Sequence, residues 1–138
     1  MRQGEAVFID SGAWIALALT RDPLHDRARA GWNSLTSSGA RLSTSVPVVL
    51  ETFTFLDRHA TRDVALAWKD SLDGVKRLRL IECSVRDMTQ AWSYFARADL
   101  HRLSAVDATS FVLMTRRRIR LAFAFDHHFA TVGFRLVG

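Results

Sequence analysis

The chain has 138 residues, 49% hydrophobic and 24% charged with two prolines, which fits one globular domain over 1–138 and excludes a disordered or fibrous protein. A single cysteine, Cys83, excludes an internal disulfide and a multi-cysteine zinc site, and no uncharged apolar run of about 18 residues offers a membrane span. Asp10 breaks the N-terminal apolar stretch before it could act as a signal peptide, so the cytoplasm is expected, and the net charge of +5 favours a polyanion or an acidic protein as partner.

Ala6–Asp10 is a short apolar run of the buried-strand type, and the SGAWIALAL that follows reads as a helix. Asp22-Pro23 punctuates the chain before a second helix over Leu24–Leu35. A loop at Ser37-Ser38-Gly39 leads to a weak strand around Leu42. Ser45 reads as a helix cap, with Pro47 tolerated in the first turn. Val46, Val49, Leu50 and Phe53 then follow helical spacing. Thr61 caps a further helix ending near Gly74, and Leu78–Ile81 alternates as a strand. Ser84 with Asp87 forms a capping box that opens a helix to about Ala98. Ser104 opens another helix, ended by Arg116, Arg117 and Arg118. Leu121–Phe125 and Phe134–Val137 complete the strands. Strands alternating with helices predict an α/β domain with a covered parallel sheet.

Charge is most informative where it is missing. Ala6–Leu19 carries only Asp10, and Leu42–Leu56 only Glu51. Leu103–Thr115 carries only Asp107, and Leu121–Phe134 only Asp126, beside His127 and His128. All four lone charges are acidic in a basic protein. A carboxylate buried without a partner costs several kcal/mol, so such groups are paired, protonated or metal-bound. With no lysine or arginine in their segments, a divalent cation is the natural partner. Asp10 and Asp126 follow strands, at the carboxyl edge where open α/β sheets bind ligands. Each residue also has a purely structural reading. Asp10 could cap the helix from Ser11, Asp107 could complete a box with Ser104, and Asp126 could cap a turn before Phe129; Glu51 is the hardest to dismiss.

At these residues the chain resembles the PIN-domain family, and within it the VapC-like toxin ribonucleases. The matches are FIDSGAWIAL around Asp10, TSVPVVLETFTFL around Glu51, LSAVDATSFVLM around Asp107 and FAFDHHFATVGFRLV around Asp126. The last block is the most specific, with Asp126, Phe129, Gly133 and Phe134 in the family's closing pattern. The resemblance implies a single PIN-like domain whose central parallel sheet, of four or five strands, has helices on both faces. It also implies a metal-dependent endoribonuclease using Mg²⁺ or Mn²⁺, one or two ions, with Asp10, Glu51, Asp107 and Asp126 in the acidic positions. Ser11 matches the small hydroxyl residue after the first aspartate, and Asp99 a peripheral extra acid. A cognate antitoxin and a homodimer are implied by the family alone. A housekeeping RNA-processing nuclease of the same family, or a catalytically inactive RNA-binding or regulatory module, remains open.

Other groups read as structural. His127 and His128 are expected to be solvent-facing turn residues. Arg116, Arg117, Arg118 and Arg120 either complement the negative end of a helix dipole or contact phosphate. Trp14, Trp32, Trp68 and Trp92 are expected in the core or an interface, and Cys83 as a small buried hydrophobe. A phosphoaspartate phosphatase would need a second aspartate where Gly12 stands, and a receiver domain a lysine after a late strand, where neither Lys69 nor Lys76 falls. Four carboxylates must also repel one another without metal, so neutralising one, Asp126→Asn, is expected to leave the metal-free protein at least as stable.

Overall fold

The structure is a computed structural model and describes residues 4–137. The strands are β1 (Ala6–Ile9), β2 (Arg41–Ser45), β3 (Arg79–Ile81), β4 (Leu121–Phe123) and β5 (Arg135–Val137). All pair in parallel in the order β3-β2-β1-β4-β5. The helices are α1 (Ser11–Ala18), α2 (His25–Ser37), α3 (Val46–His59), α4 (Arg62–Ser71), α5 (Val85–Ala91), α6 (Ala105–Arg116) and the short α7 (His128–Thr131). From β1 the chain winds through β2 to β3 on one side, then returns to β4 and β5 on the other. Right-handed crossovers in two opposite directions put helices on both faces of the sheet. The single α/β layer architecture is the one the alternating pattern predicts.

Central strands of a parallel sheet are buried on both faces and read as unbroken apolar runs. Val7, Phe8 and Ile9 of β1 are fully buried. β2 looks weak because Ser43, Thr44 and Ser45 are polar, yet all three are buried. Thr44 Oγ1 donates to the Ile9 carbonyl (2.8 Å) and accepts from Trp14 Nε1 (3.1 Å), which satisfies both inside the core. Ser45 ends β2 and caps α3, its hydroxyl accepting from the Val48 amide at 3.2 Å, so strand passes to helix with no loop.

Two predicted helices finish differently from their pattern. The Thr61-capped helix turns into a 3-10 segment over Leu72–Gly74, and the Ser84-capped one over Trp92–Ala96. The last strands are also shorter than the apolar runs that announce them. Burial continues past Phe123 through Ala124, but backbone pairing does not. Trp14, Trp32 and Trp68 cluster with centroids 5.7 and 6.0 Å apart, whereas Trp92 is half exposed and Cys83 only partly buried.

Gly31 in α2 is where helix meets sheet most closely. A Cβ there would lie 2.9 Å from Cε1 of Phe123, whose ring is fully buried. Gly31→Ala gains helix propensity, at most about 1 kcal/mol. Overpacking a rigid ring costs about 1–3 kcal/mol. The variant is expected to lose on the order of 1 kcal/mol net by these two effects; denaturant midpoints with an unchanged slope check it.

Candidate metal and catalytic site

The sheet reverses its winding direction at the β1/β4 boundary, and a crevice opens at the carboxyl ends of those strands. Asp10 directly follows β1, and its amide donates to the Phe123 carbonyl at the end of β4 (3.0 Å). Asp126 lies three residues beyond β4. Asp107 enters from the first turn of α6, and Glu51 from the second turn of α3. Four elements of backbone, β1, β4, α3 and α6, therefore bring their carboxylates to this place.

Asp10 occupies the cap position of α1 but makes no capping bond. Its side chain is buried, and Oδ1 has no hydrogen-bond partner. Burial pushes its carboxyl up to about 7; the Ser11 and Gly12 amides oppose this, while the charges of Glu51 and Asp126 add to it. Capping alone does not account for Asp10, because Oδ1 is left buried without a partner.

Asp107 has an internal comparison in the same chain. At Ser84 and Asp87 both halves of the capping box are made: the Ser84 hydroxyl accepts from the Asp87 amide, and the Asp87 carboxylate accepts from the Ser84 amide. At Ser104 and Asp107 only the first half exists, with the Asp107 amide donating to the Ser104 hydroxyl at 3.0 Å. The Asp107 carboxyl turns to the crevice. Burial first, then Asp10, Asp126 and Glu51, push it up to about 9, and it shares a hydrogen bond with Asp126.

Asp126 serves two purposes. Its Oδ1 accepts from the His128 amide at 2.9 Å, closing the turn before Phe129 as the structural reading expects. Burial raises its carboxyl, but the His128 amide, the bond from Asp107 and the His128 ring outweigh that and hold it below the usual range. Glu51 is fixed by Ser11, whose hydroxyl donates to Oε1 at 2.5 Å. Asp10, Glu51, Asp107 and Asp126 thus act on one another at one place, with Ser11 orienting one of them. Asp99 takes no part in those contacts. Arg97 grips both of its oxygens, at 2.9 and 2.6 Å, on the surface.

His128 corrects the expectation of two solvent-facing histidines. His127 is exposed, but His128 is buried. Its Nε2 lies 2.7 Å from the His101 carbonyl, which can only accept, so Nε2 carries a proton. Nδ1 then faces Asp126 Oδ1 at 2.9 Å. The donor atoms of Asp126, His127 and His128 fall within 4.8 Å of one another. The available signal was spacing: the residue two beyond an aspartate is the one an Asx turn folds back on it.

What the arrangement can do follows from its donors. Burial and neighbouring carboxylates dominate at Asp10 and Asp107, and one buried oxygen is left without a partner. Hard divalent cations take such carboxylate oxygens. The residues present fit a metal. Beside Glu51 a cleft of about 550 Å³ opens between α3 and α6, where Phe55 stacks on His59 (4.3 Å between centroids) and Arg58 lies close by. Among the described residues no helix is long and apolar enough to cross a membrane.

Known proteins match both sequence and shape. The 23S rRNA-specific endonuclease VapC20 of Mycobacterium tuberculosis is 34% identical over 129 residues, covering 93% of this chain and 95% of that protein. Its crystal structure, described as that of a sarcin-ricin loop cleaving toxin, superposes with a TM-score of 0.82 at 32% identity, over 93% of this chain and 95% of that one. DNA-bound VapBC from Salmonella typhimurium shares the fold alone, with a TM-score of 0.66 at 17% identity over 96% of each chain. VapBC2 from Rickettsia felis, bound to a promoter DNA fragment, does likewise, with a TM-score of 0.68 at 10% identity over 95% and 96%. The PIN domain family model matches residues 7–135, nearly the whole chain, and this protein belongs to the PIN-domain family.

Proposed function

We propose that the protein is a metal-dependent endoribonuclease and the toxin of a type II toxin–antitoxin pair. In this reading it works in the cytoplasm as a homodimer, restrained by a cognate antitoxin. One observation carries the reading. Asp10 and Asp107, both buried, face other carboxylates across the β1/β4 crevice, with Asp10 Oδ1 unpartnered. Mg²⁺ or Mn²⁺, held by Asp10, Asp107, Asp126 and Glu51, would supply Lewis acidity and a water activated for attack on phosphorus.

The chain's own groups do the rest. Ser11 fixes the rotamer of Glu51, and the His128 amide fixes Asp126. Phe55 and His59 give the adjoining cleft an aromatic wall on which a base can stack, and Arg58 a cation for its phosphate. The half-exposed Trp92 joins Leu50, Val85 and Met88 around a 390 Å³ apolar cleft, which supports burial against a second copy. A relative of 34% identity named for 23S rRNA makes large ribosomal RNA the first substrate to test, and favours the toxin over a housekeeping processing nuclease.

Purified protein is expected to cleave RNA with Mg²⁺ or Mn²⁺, to stop in EDTA, and to recover when metal is restored. Expressed alone it should arrest growth, while Asp10→Asn should not. Full activity in EDTA would sink the metal mechanism. Harmless high-level expression of active wild type would remove the toxin assignment and leave the nuclease.

A further inference from the structure

The carboxylates occupy one edge of the sheet; the opposite edge is built of arginine. β2, β3 and β5 begin with Arg41, Arg79 and Arg135, and Arg120 precedes β4. Parallel strands place all their amino ends together. α6 runs back to the same edge and ends at Arg116, with Arg117 and Arg118 directly after it. The register sets Arg41 beside Ala6 and Arg79 beside Ser43. A cleft of about 480 Å³ results, lined by Arg41, Arg77, Arg79, Arg117 and Arg118 with Ser43.

The charges there are largely uncompensated. Arg116 is neutralised by Asp87 and Arg135 by Glu5, and Arg41 Nε donates to the Gly4 carbonyl. Among the described residues, Arg77, Arg79, Arg117 and Arg118 form no salt bridge, and no carboxylate lines the cleft. One cation would serve the dipole of α6, and Arg116 already stands in its last turn. Five guanidinium groups from three elements exceed that need.

Backbone conformation gives an independent sign. Arg77 and Arg118 both adopt left-handed φ, +58° each, and both border this cleft. Glycine would sit there without strain, whereas arginine carries a cost. Arg102, away from the cleft, shares this conformation at φ +56°, but Arg77 and Arg118 are the two that border the cleft, where their strain accompanies a concentration of guanidinium groups.

We propose that this cleft docks the phosphate backbone of folded RNA, as a second contact separate from the cleavage site. The planar guanidinium fork matches phosphate oxygens in pairs. Four residues of β1 separate the two edges by about 13 Å of strand. The body of the domain lies between them. A short single strand at the carboxylates cannot reach the arginines, but a large folded RNA presents backbone to both. The proposal rests on the nuclease reading only for its choice of RNA.

The test is binding in EDTA, where cleavage is stopped, of a labelled RNA hairpin and of a short single-stranded oligonucleotide. The variant is Arg77→Gly/Arg118→Gly, which relieves strain and so should melt at or above wild type. Its Kd for the hairpin is expected to rise about tenfold, and the slope of log K against log salt to fall by about 2. With metal restored, cleavage of the short oligonucleotide should be unchanged, while KM for folded RNA rises and kcat holds. Arg79→Gln, at an ordinary strand position, should weaken hairpin binding in the same direction. Unchanged hairpin affinity in both variants would overturn the proposal. So would wild-type binding of duplex DNA tenfold tighter than RNA, which would make the edge a DNA surface. Loss of metal-dependent cleavage on every substrate would strike the nuclease reading alone, because docking is read without cleavage.

Discussion

Asp107→Asn is expected to lower RNA cleavage by about a thousandfold, the scale on which one electrostatic group at a reaction centre acts, while the metal-free variant melts higher than wild type at alkaline pH. The amide matches the carboxyl in size, so packing around α6 is kept. It cannot offer an anionic oxygen to a hard cation, which removes activity. It also removes the cost of ionising a buried group, the main reason Asp107 is pushed up to about 9, together with the repulsion from Asp10, Asp126 and Glu51. The chain supplies its own control. Asp87 stands in the same S-x-x-D context, but its carboxylate completes the cap and pairs with Arg116 at 2.5 Å. Asp87→Asn should therefore cost about 1–3 kcal/mol through the cap and the broken pair and leave cleavage unchanged. Melting curves in EDTA and initial rates on one RNA give all four values. If Asp107→Asn loses stability as Asp87→Asn does, Asp107 is a structural acid.

The sequence revealed positions more readily than orientations. Asp10, Glu51, Asp107 and Asp126 stand out because each is the sole charge in an apolar segment, and burial of such segments makes a lone acid costly. Whether an S-x-x-D pair closes a box or releases its carboxylate cannot be read from letters. Ser84–Asp87 and Ser104–Asp107 look alike, and only packing separates them. Of two adjacent histidines, turn geometry decides that His128 is buried and His127 is not. β2 reads as weak because it is polar, and the partners that let the Thr44 hydroxyl be buried, Ile9 and Trp14, are remote in sequence. The arginine edge was the least legible feature. Arg41, Arg77, Arg79, Arg117 and Arg118 are scattered along the chain and meet only through parallel register.

Stability of the metal-free protein is expected to fall as pH rises from about 4 to about 9, and added Mn²⁺ should reverse the fall. The unfolded chain releases its aspartate protons near pH 3.9. The folded chain keeps one at Asp10 to about 7 and one at Asp107 to about 9. Between these limits the native state binds more protons than the unfolded one, so raising pH favours unfolding. From pH 7 to pH 9 the Asp107 proton is the main one at stake, so the fall continues through that range. Asp126 has the opposite sign. Its carboxyl is held below the usual range, so its ionised form stabilises the fold, and that contribution is lost only as pH falls through the acid range. This moves the expected stabilising substitution from Asp126 to Asp107: Asp126→Asn should gain nothing in EDTA, because it surrenders a carboxylate that the His128 amide and the bond from Asp107 hold in its ionised form. Mn²⁺ at a hundred times its Kd adds about 2.7 kcal/mol by binding the folded state, and proton release should make the gain grow with pH. Both substitutions should shrink that gain. Melting temperatures at pH 5, 7 and 9, with EDTA and with Mn²⁺, test the scheme; a metal-free protein whose stability rises across that range would show that these carboxylates are not crowded as described.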